Sequence, residues 1–222
     1  MHNSWTKFKD RSTPATVPLD NVFYEYVQPG SKVLDFGCGW GRISFELHSR
    51  GYNLCGLDIN PNELHWATEE KAKQAYDQPL LQFTVADAIN LPFAAESFDA
   101  AVMVAFMVTL AERSQRSQVI EQAARVLKPH GILYLSLFTQ NWDVYRARYE
   151  AHFPMTGELC TFIVHDTHDI EGNELYRCHH YTEWEITDLL NPKFNVEHLA
   201  PAQFITPSGS VNNGMYIFAE KI

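Results

Sequence analysis

The sequence predicts an α/β fold in which a doubly wound, mostly parallel sheet carries helices on both faces. Three observations carry that expectation. Short apolar runs alternate regularly with amphipathic stretches from residue 32 onward. Helix-start and helix-stop signals fall between those runs, and a glycine-rich loop follows the first of them directly. Strands alternating with helices imply parallel pairing through right-handed crossovers.

Lys32-Val33-Leu34-Asp35-Phe36 reads as a buried strand. A helix over 43–49 follows, and Gly51 is placed to end it in a left-handed cap. Residues 52–58 form a second strand. Asn60-Pro61-Asn62-Glu63 then has helix-start chemistry: Asn60 caps, Pro61 fits the first turn and Glu63 takes the capping-box position, with the helix running to about Tyr76. Further strands are expected over 80–86 and 98–104. The helix over 114–127 puts Val119, Ala123, Val126 and Leu127 on one face, and Lys128-Pro129-His130-Gly131 stops it before a fifth strand over 132–138. In the tail, Thr182 caps a helix over 182–190, and strands over 195–199 and 215–219 flank a Pro/Ser/Gly/Asn loop. Residues 139–180 break the alternation: Trp142, Tyr145, Tyr149 and Phe153 precede two strand-like runs, 160–165 and 174–180, joined by Glu171-Gly172-Asn173, which reads as a hairpin. A helix over 19–27, and a shorter one around Trp5, Lys7 and Phe8, are expected ahead of the sheet.

The bulk numbers fit one domain of 222 residues with 45% apolar content, enough for a sizeable core. The net charge of -10 supplies no basic face for phosphates and weighs against a nucleic-acid partner. Cys38, Cys55, Cys160 and Cys178 form no C-x-x-C pair, so neither a zinc ribbon nor a redox motif is suggested. No apolar signal region or membrane-length run is present, which makes a cytoplasmic protein the default expectation, with no membrane partner.

The loop Asp35-Phe36-Gly37-Cys38-Gly39-Trp40-Gly41 is the sharpest candidate site. A parallel sheet binds ligands at the carboxyl ends of its strands, and glycines let the backbone approach one without a Cβ in the way. The dinucleotide fingerprint G-x-G-x-x-G needs glycine at 42, where Arg42 stands; the spacing here is G-x-G-x-G after an acid. With Asp58 ending the second strand, Val85-Ala86-Asp87-Ala88-Ile89 following the third, Phe98-Asp99-Ala100 starting the fourth and Ala124-Arg125-Val126-Leu127-Lys128-Pro129-His130-Gly131 before the fifth, the chain resembles the class I S-adenosylmethionine (SAM)-dependent methyltransferases. The resemblance is close over 30–138 and looser over 181–222. It implies a Rossmann-like sheet of seven strands with an antiparallel last strand. It implies SAM as cofactor and S-adenosylhomocysteine as product. It further implies a cofactor site of Asp35, Gly37, Gly39, Trp40 and Gly41 on the loop, Asp58 with Ile59 at the ribose, Asp87 with the Ala88 N–H at the adenine, and Val104 and Phe106 after the fourth strand. Asp99 reads as a structural strand-start residue, and Arg42 as a partner for a nearby acid.

Methyl transfer from a sulfonium asks the protein mainly to position and desolvate. The N/D-P-P-Y/F motif of base- and amine-methylating groups is replaced by Val104-Ala105-Phe106-Met107, an apolar wall, so a small-molecule acceptor is expected. No catalytic base is assigned. His165, Asp166, His168, His179 and His180 could gather as a base or metal site, but alternation along the strand sends His179 and His180 to opposite faces, and ordinary lid histidines with no metal are the expectation. The domain expectation is thus a single domain over 1–222, with a helical segment at 1–31 and a lid or substrate insertion at 139–180, acting as a monomer or homodimer. A non-catalytic SAM-binding regulatory or partner subunit is the alternative, and a nucleotide-dependent oxidoreductase on the same sheet is a third reading that Arg42 opposes.

Overall fold

The structure, a computed structural model, describes residues 5, 17–74, 80–166, 172–205 and 211–222. A seven-stranded sheet runs in the order β3-β2-β1-β4-β5-β9-β8. Its strands are β1 (Lys32–Phe36), β2 (Asn53–Asp58), β3 (Leu81–Val85), β4 (Phe98–Val104), β5 (Leu127–Phe138), β8 (Phe194–Ile205) and β9 (Val211–Lys221). β9 pairs antiparallel with both β5 and β8, so it alone runs against the other six. β1 lies between β2 and β4, where the strand order reverses, and this switch point opens a crevice at the strands' carboxyl ends.

Strand alternation divides the core between the two faces. Val33 packs with Ile43 and Leu47 of α2 (Arg42–Ser49), with Phe23, Tyr134 and Phe218. Leu34 and Phe36 join the other side, with Val119, Ile120 and Ala123 of α4 (Arg113–Val126) and Ile186 and Leu190 of α6 (Glu183–Leu190). The N-caps act as their chemistry demands, while the Asn60 N–H that a capping box would give to Glu63 goes to Asp58 Oδ1 instead. Asn60 Oδ1 accepts the Asn62 N–H at 3.0 Å ahead of α3 (Pro61–Lys73), and Thr182 Oγ1 accepts the Glu185 N–H at 3.0 Å. Gly51, at φ +90°, closes α2 with its N–H on the His48 carbonyl. The expected end of α3 near Tyr76 falls outside the described residues, as do Lys7, Phe8 and His168.

Three expectations are corrected. The helix expected over 19–27 contracts to α1 (Phe23–Tyr26), because Asp20 takes the Val22 N–H on its side chain at 2.8 Å and offers its own N–H to Tyr134 Oη. Lys128-Pro129-His130-Gly131 is not a turn between helix and strand. β5 begins at Leu127, opposite Phe98, and the tetrapeptide is a bulge inside it, with His130 at φ +61° and the register resuming at Ala100 and Ile132. The tail strands reach far beyond their expected spans, because each pairs along its length with β9 or β8.

The insertion leaves the sheet after β5 as α5 (Trp142–Thr156), followed by the hairpin β6 (Thr161–His165) and β7 (Glu174–His179). It carries its own small core of Tyr149, Cys160 and Phe162, with Trp142, Tyr145 and Val164 against it. Its two ends meet: Gln140 N–H bonds the Tyr181 carbonyl at 3.0 Å and Tyr181 N–H the Phe138 carbonyl at 3.1 Å. Among the described residues, no helix is long and apolar enough to cross a membrane.

Candidate functional site

The glycine loop turns with Gly37, Gly39 and Gly41 all at positive φ (63°, 53° and 92°). The absence of a side chain is needed at Gly37, where a Cβ would stand 2.5 Å from Phe106 Cδ2. The loop is tied to the end of β2 on two sides. Cys38 N–H bonds the Leu57 carbonyl at 2.9 Å, and Gly39 N–H bonds Asp58 Oδ2 at 2.9 Å. Asp58 Oδ1 accepts the Asn60 N–H at 2.8 Å, so the carboxylate is fixed between the loop and the start of α3. Burial raises the Asp58 pKa, and the backbone N–H bonds pull it back.

Below the loop lies Asp35. It is buried, and Ser44 Oγ donates to its Oδ2 at 2.7 Å. Burial pushes its pKa up to about 7. Arg42 Nη2 donates to the Val17 carbonyl at 2.6 Å; among the described residues it forms no ion pair with an acid, the one expected for it. Asp99 takes the structural place expected: it accepts the Lys32 N–H at 2.8 Å and pairs with Lys128 Nζ at 2.6 Å.

A cleft of about 1180 Å³ opens from the loop across the carboxyl ends of the strands to the insertion. It brings together Gly37, Gly39, Asp58, Ile59, Asp87, Ala88, Val104 and Phe106 of the expected site; Asp35, Trp40 and Gly41 do not line it. Asp87 is exposed, with its Oδ1 accepting the Ile89 N–H at 3.2 Å. Ala105, at φ +52°, bends the chain out of β4 and brings Phe106 across Gly37. Trp5 lines the cleft too.

The insertion side contributes residues to which no role is assigned from the sequence. Arg148 is one, and Asn212, whose Oδ1 accepts the Tyr145 hydroxyl at 2.7 Å, is another. Arg148 stands one turn beyond Tyr145 on α5, and that spacing is the signal that could have paired them. The histidines separate as alternation requires. His180 faces the cleft, with its Nδ1 2.6 Å from the Tyr149 hydroxyl, while His179 turns to Thr161 and Glu185. Glu158, His179 and Glu185 stand close enough to share a cation. That charge is already supplied by Arg116, fully buried, whose Nη2 meets Glu158 and lies 3.7 Å from Glu185.

The donors fit SAM. A carboxylate held open at Asp58 suits paired ribose hydroxyls, and Asp58, Glu63 and Asp87 give this end of the cleft the charge that suits a cation. A family profile described as a methyltransferase domain matches residues 34–135. The crystal structure of a SAM-dependent methyltransferase from Methanosarcina mazei superposes with a TM-score of 0.86 at 35% identity, covering 93% of this chain and 99% of that one. This chain belongs to the SAM-dependent methyltransferases. Two curated methyltransferases are similar over shorter stretches. GfsG of Streptomyces halstedii is 33% identical over 50% of this chain and 38% of its own length. A tRNA (carboxymethyluridine(34)-5-O)-methyltransferase of Arabidopsis thaliana is 31% identical over 62% of this chain and 30% of its own. The chain thus spans about a third of the length of these curated relatives. As in other SAM-dependent methyltransferases, SAM is the cofactor.

Proposed function

We propose that this methyltransferase carries the methyl group of SAM to a small-molecule acceptor held beneath the 139–180 insertion. The observation that carries the reading is the continuity of the cleft: the glycine loop and the insertion's side chains line one volume. SAM supplies an electrophilic methyl on a sulfonium. The chain's residues bind and orient the reactants. Asp58 takes the ribose hydroxyls, the Asp87 carboxylate and the Ala88 N–H take the adenine, and Gly37 and Gly39 admit the methionine end. Val104 and Phe106 form an apolar wall that keeps water from the reacting atoms. The insertion selects the acceptor, and the segment ahead of β1, through Trp5, covers the cofactor edge.

The similarity to tRNA methyltransferases favours a second reading, a nucleic-acid acceptor. Charge opposes it. The chain carries -10, and five carboxylates (Asp58, Glu63, Asp87, Glu112, Glu174) line the cleft against two guanidiniums (Arg148, Arg177). Two measurements decide. Calorimetric titration with S-adenosylhomocysteine should show binding, and its absence at high micromolar ligand with folded protein would sink the cofactor assignment. Incubation with methyl-labelled SAM and separate small-molecule and tRNA pools should move label into the small molecules; label in tRNA would replace the acceptor class.

A further inference from the structure

Resting on the methyltransferase reading, we infer that the insertion half of the cleft is a chamber for a flat aromatic carboxylate, anchored by the His180 Nε2–H and the Arg148 guanidinium.

His180 is 5% exposed, and that exposure faces the cleft. Its Nδ1 meets the Tyr149 hydroxyl at 2.6 Å. Tyr149 is itself fully buried, and its oxygen accepts the Asn141 N–H at 3.4 Å. If Nδ1 carried the proton, the phenol proton would point at no acceptor among the described residues, a buried donor left unmade. The phenol therefore donates to Nδ1, and the ring's proton sits on Nε2. Burial, with the charges of His179 and Arg148, lowers the His180 pKa to about 3, which keeps the ring neutral. Nε2 has no protein partner among the described residues. His180 thus offers the cleft one oriented hydrogen-bond donor and, in this tautomer, no base.

Rings surround that donor. Phe138 stacks on His180 at 5.9 Å, and Tyr145 and Phe162 meet it edge-on at 4.9 and 5.0 Å. Such walls suit the face of an aromatic ligand. Arg148 stands over the Tyr145 and Phe162 rings at 5.8 and 5.4 Å and has no carboxylate partner among the described residues. The other guanidinium of the chamber is spent: Glu174 Oε1 binds Arg177 at 2.9 Å, with the charge of Glu112 added to it. One open cation beside an aromatic slot asks for one anionic group on a flat ring.

The test uses the full chain saturated with S-adenosylhomocysteine and three calorimetric probes: 4-hydroxybenzoate, the isosteric neutral 4-hydroxybenzamide, and cyclohexanecarboxylate. The acid should bind, with the amide and the non-aromatic acid each weaker by at least about tenfold. Arg148→Ala should abolish the preference for acid over amide, and His180→Phe should weaken 4-hydroxybenzoate by about tenfold or more. Both variants should keep the wild-type affinity for S-adenosylhomocysteine. Arg148 is on an exposed helix face, so R148A decides the matter even if H180F does not fold. Equal binding of acid and amide, no binding of any probe, or an unchanged preference in R148A overturns the proposal. Failure of the wild type to bind S-adenosylhomocysteine overturns the methyltransferase reading instead.

Discussion

At Asp58 both carboxylate oxygens already accept backbone N–H groups, from Gly39 and Asn60, at 2.9 and 2.8 Å. The remaining lone pairs face the cleft, where an acid can take two hydroxyls at once. Asp58→Asn puts an N–H where one acceptor stood, so a backbone donor and a ligand hydroxyl both lose their partner. Affinity for S-adenosylhomocysteine should fall by about ten- to a hundredfold, read by calorimetry; an unchanged affinity would remove Asp58 from the ribose. Asp58 and Asp87 were legible in the sequence because each is an acid at the end of a strand in a regular alternation. Asn212 was not. Only the fold sets α5 beside the start of β9, and a residue whose partner is 67 positions away leaves no local trace.

At the scale of elements, Arg116 is the bolt between the insertion and the main domain. From α4 it reaches the Leu110 and Ala111 carbonyls, at 3.1 and 2.8 Å, and the carboxylates Glu158 before β6 and Glu185 on α6. Arg116→Met keeps the length of the side chain and removes the charge, leaving two carboxylates facing one another beside His179. The expected loss is about 3 kcal/mol of unfolding free energy in urea, since one partner of a buried ionic group is deleted; a loss within the noise of a surface substitution would show that the bolt is idle. The pattern of elements was readable where burial imposes a period, as in β1 to β4 and the β6–β7 hairpin. It failed where another force decided. No element is assigned from the sequence to the residues of α5, whose buried positions are few and which contains Pro154. β5 starts early because Leu127 finds a pairing partner in Phe98 that no local propensity reveals.

For the whole molecule, two buried groups set opposing pH dependences. Asp35 titrates near 7 in the fold, against an ordinary 3.8, so unfolding releases its proton and stability falls as pH rises from about 4 to about 7. His180 titrates near 3 against 6.5, so the unfolded chain takes up a proton that the native one refuses, and stability falls as pH drops from about 6.5 to about 3. Between about 4 and 6.5 the two slopes oppose each other and the wild type should be nearly flat with respect to this pair. Asp35→Asn should unmask the histidine: its stability relative to wild type should climb by up to about 1.4 kcal/mol per pH unit from pH 4 to 7 and then level off. Urea denaturation across that range reads the slope, and a difference independent of pH would assign Asp35 an ordinary titration.

The closed ends of the insertion carry one more consequence. Because Phe138, Gln140 and Tyr181 hold its exit and return together, the sheet does not depend on how many residues lie between them. Chain length inside an already closed loop costs little, growing only with its logarithm. Such a segment behaves in evolution as a cartridge. It can be lengthened or trimmed while the cofactor's grip stays as it is, provided Glu158 remains to meet the buried Arg116, so one scaffold can be refitted to new acceptors without refolding.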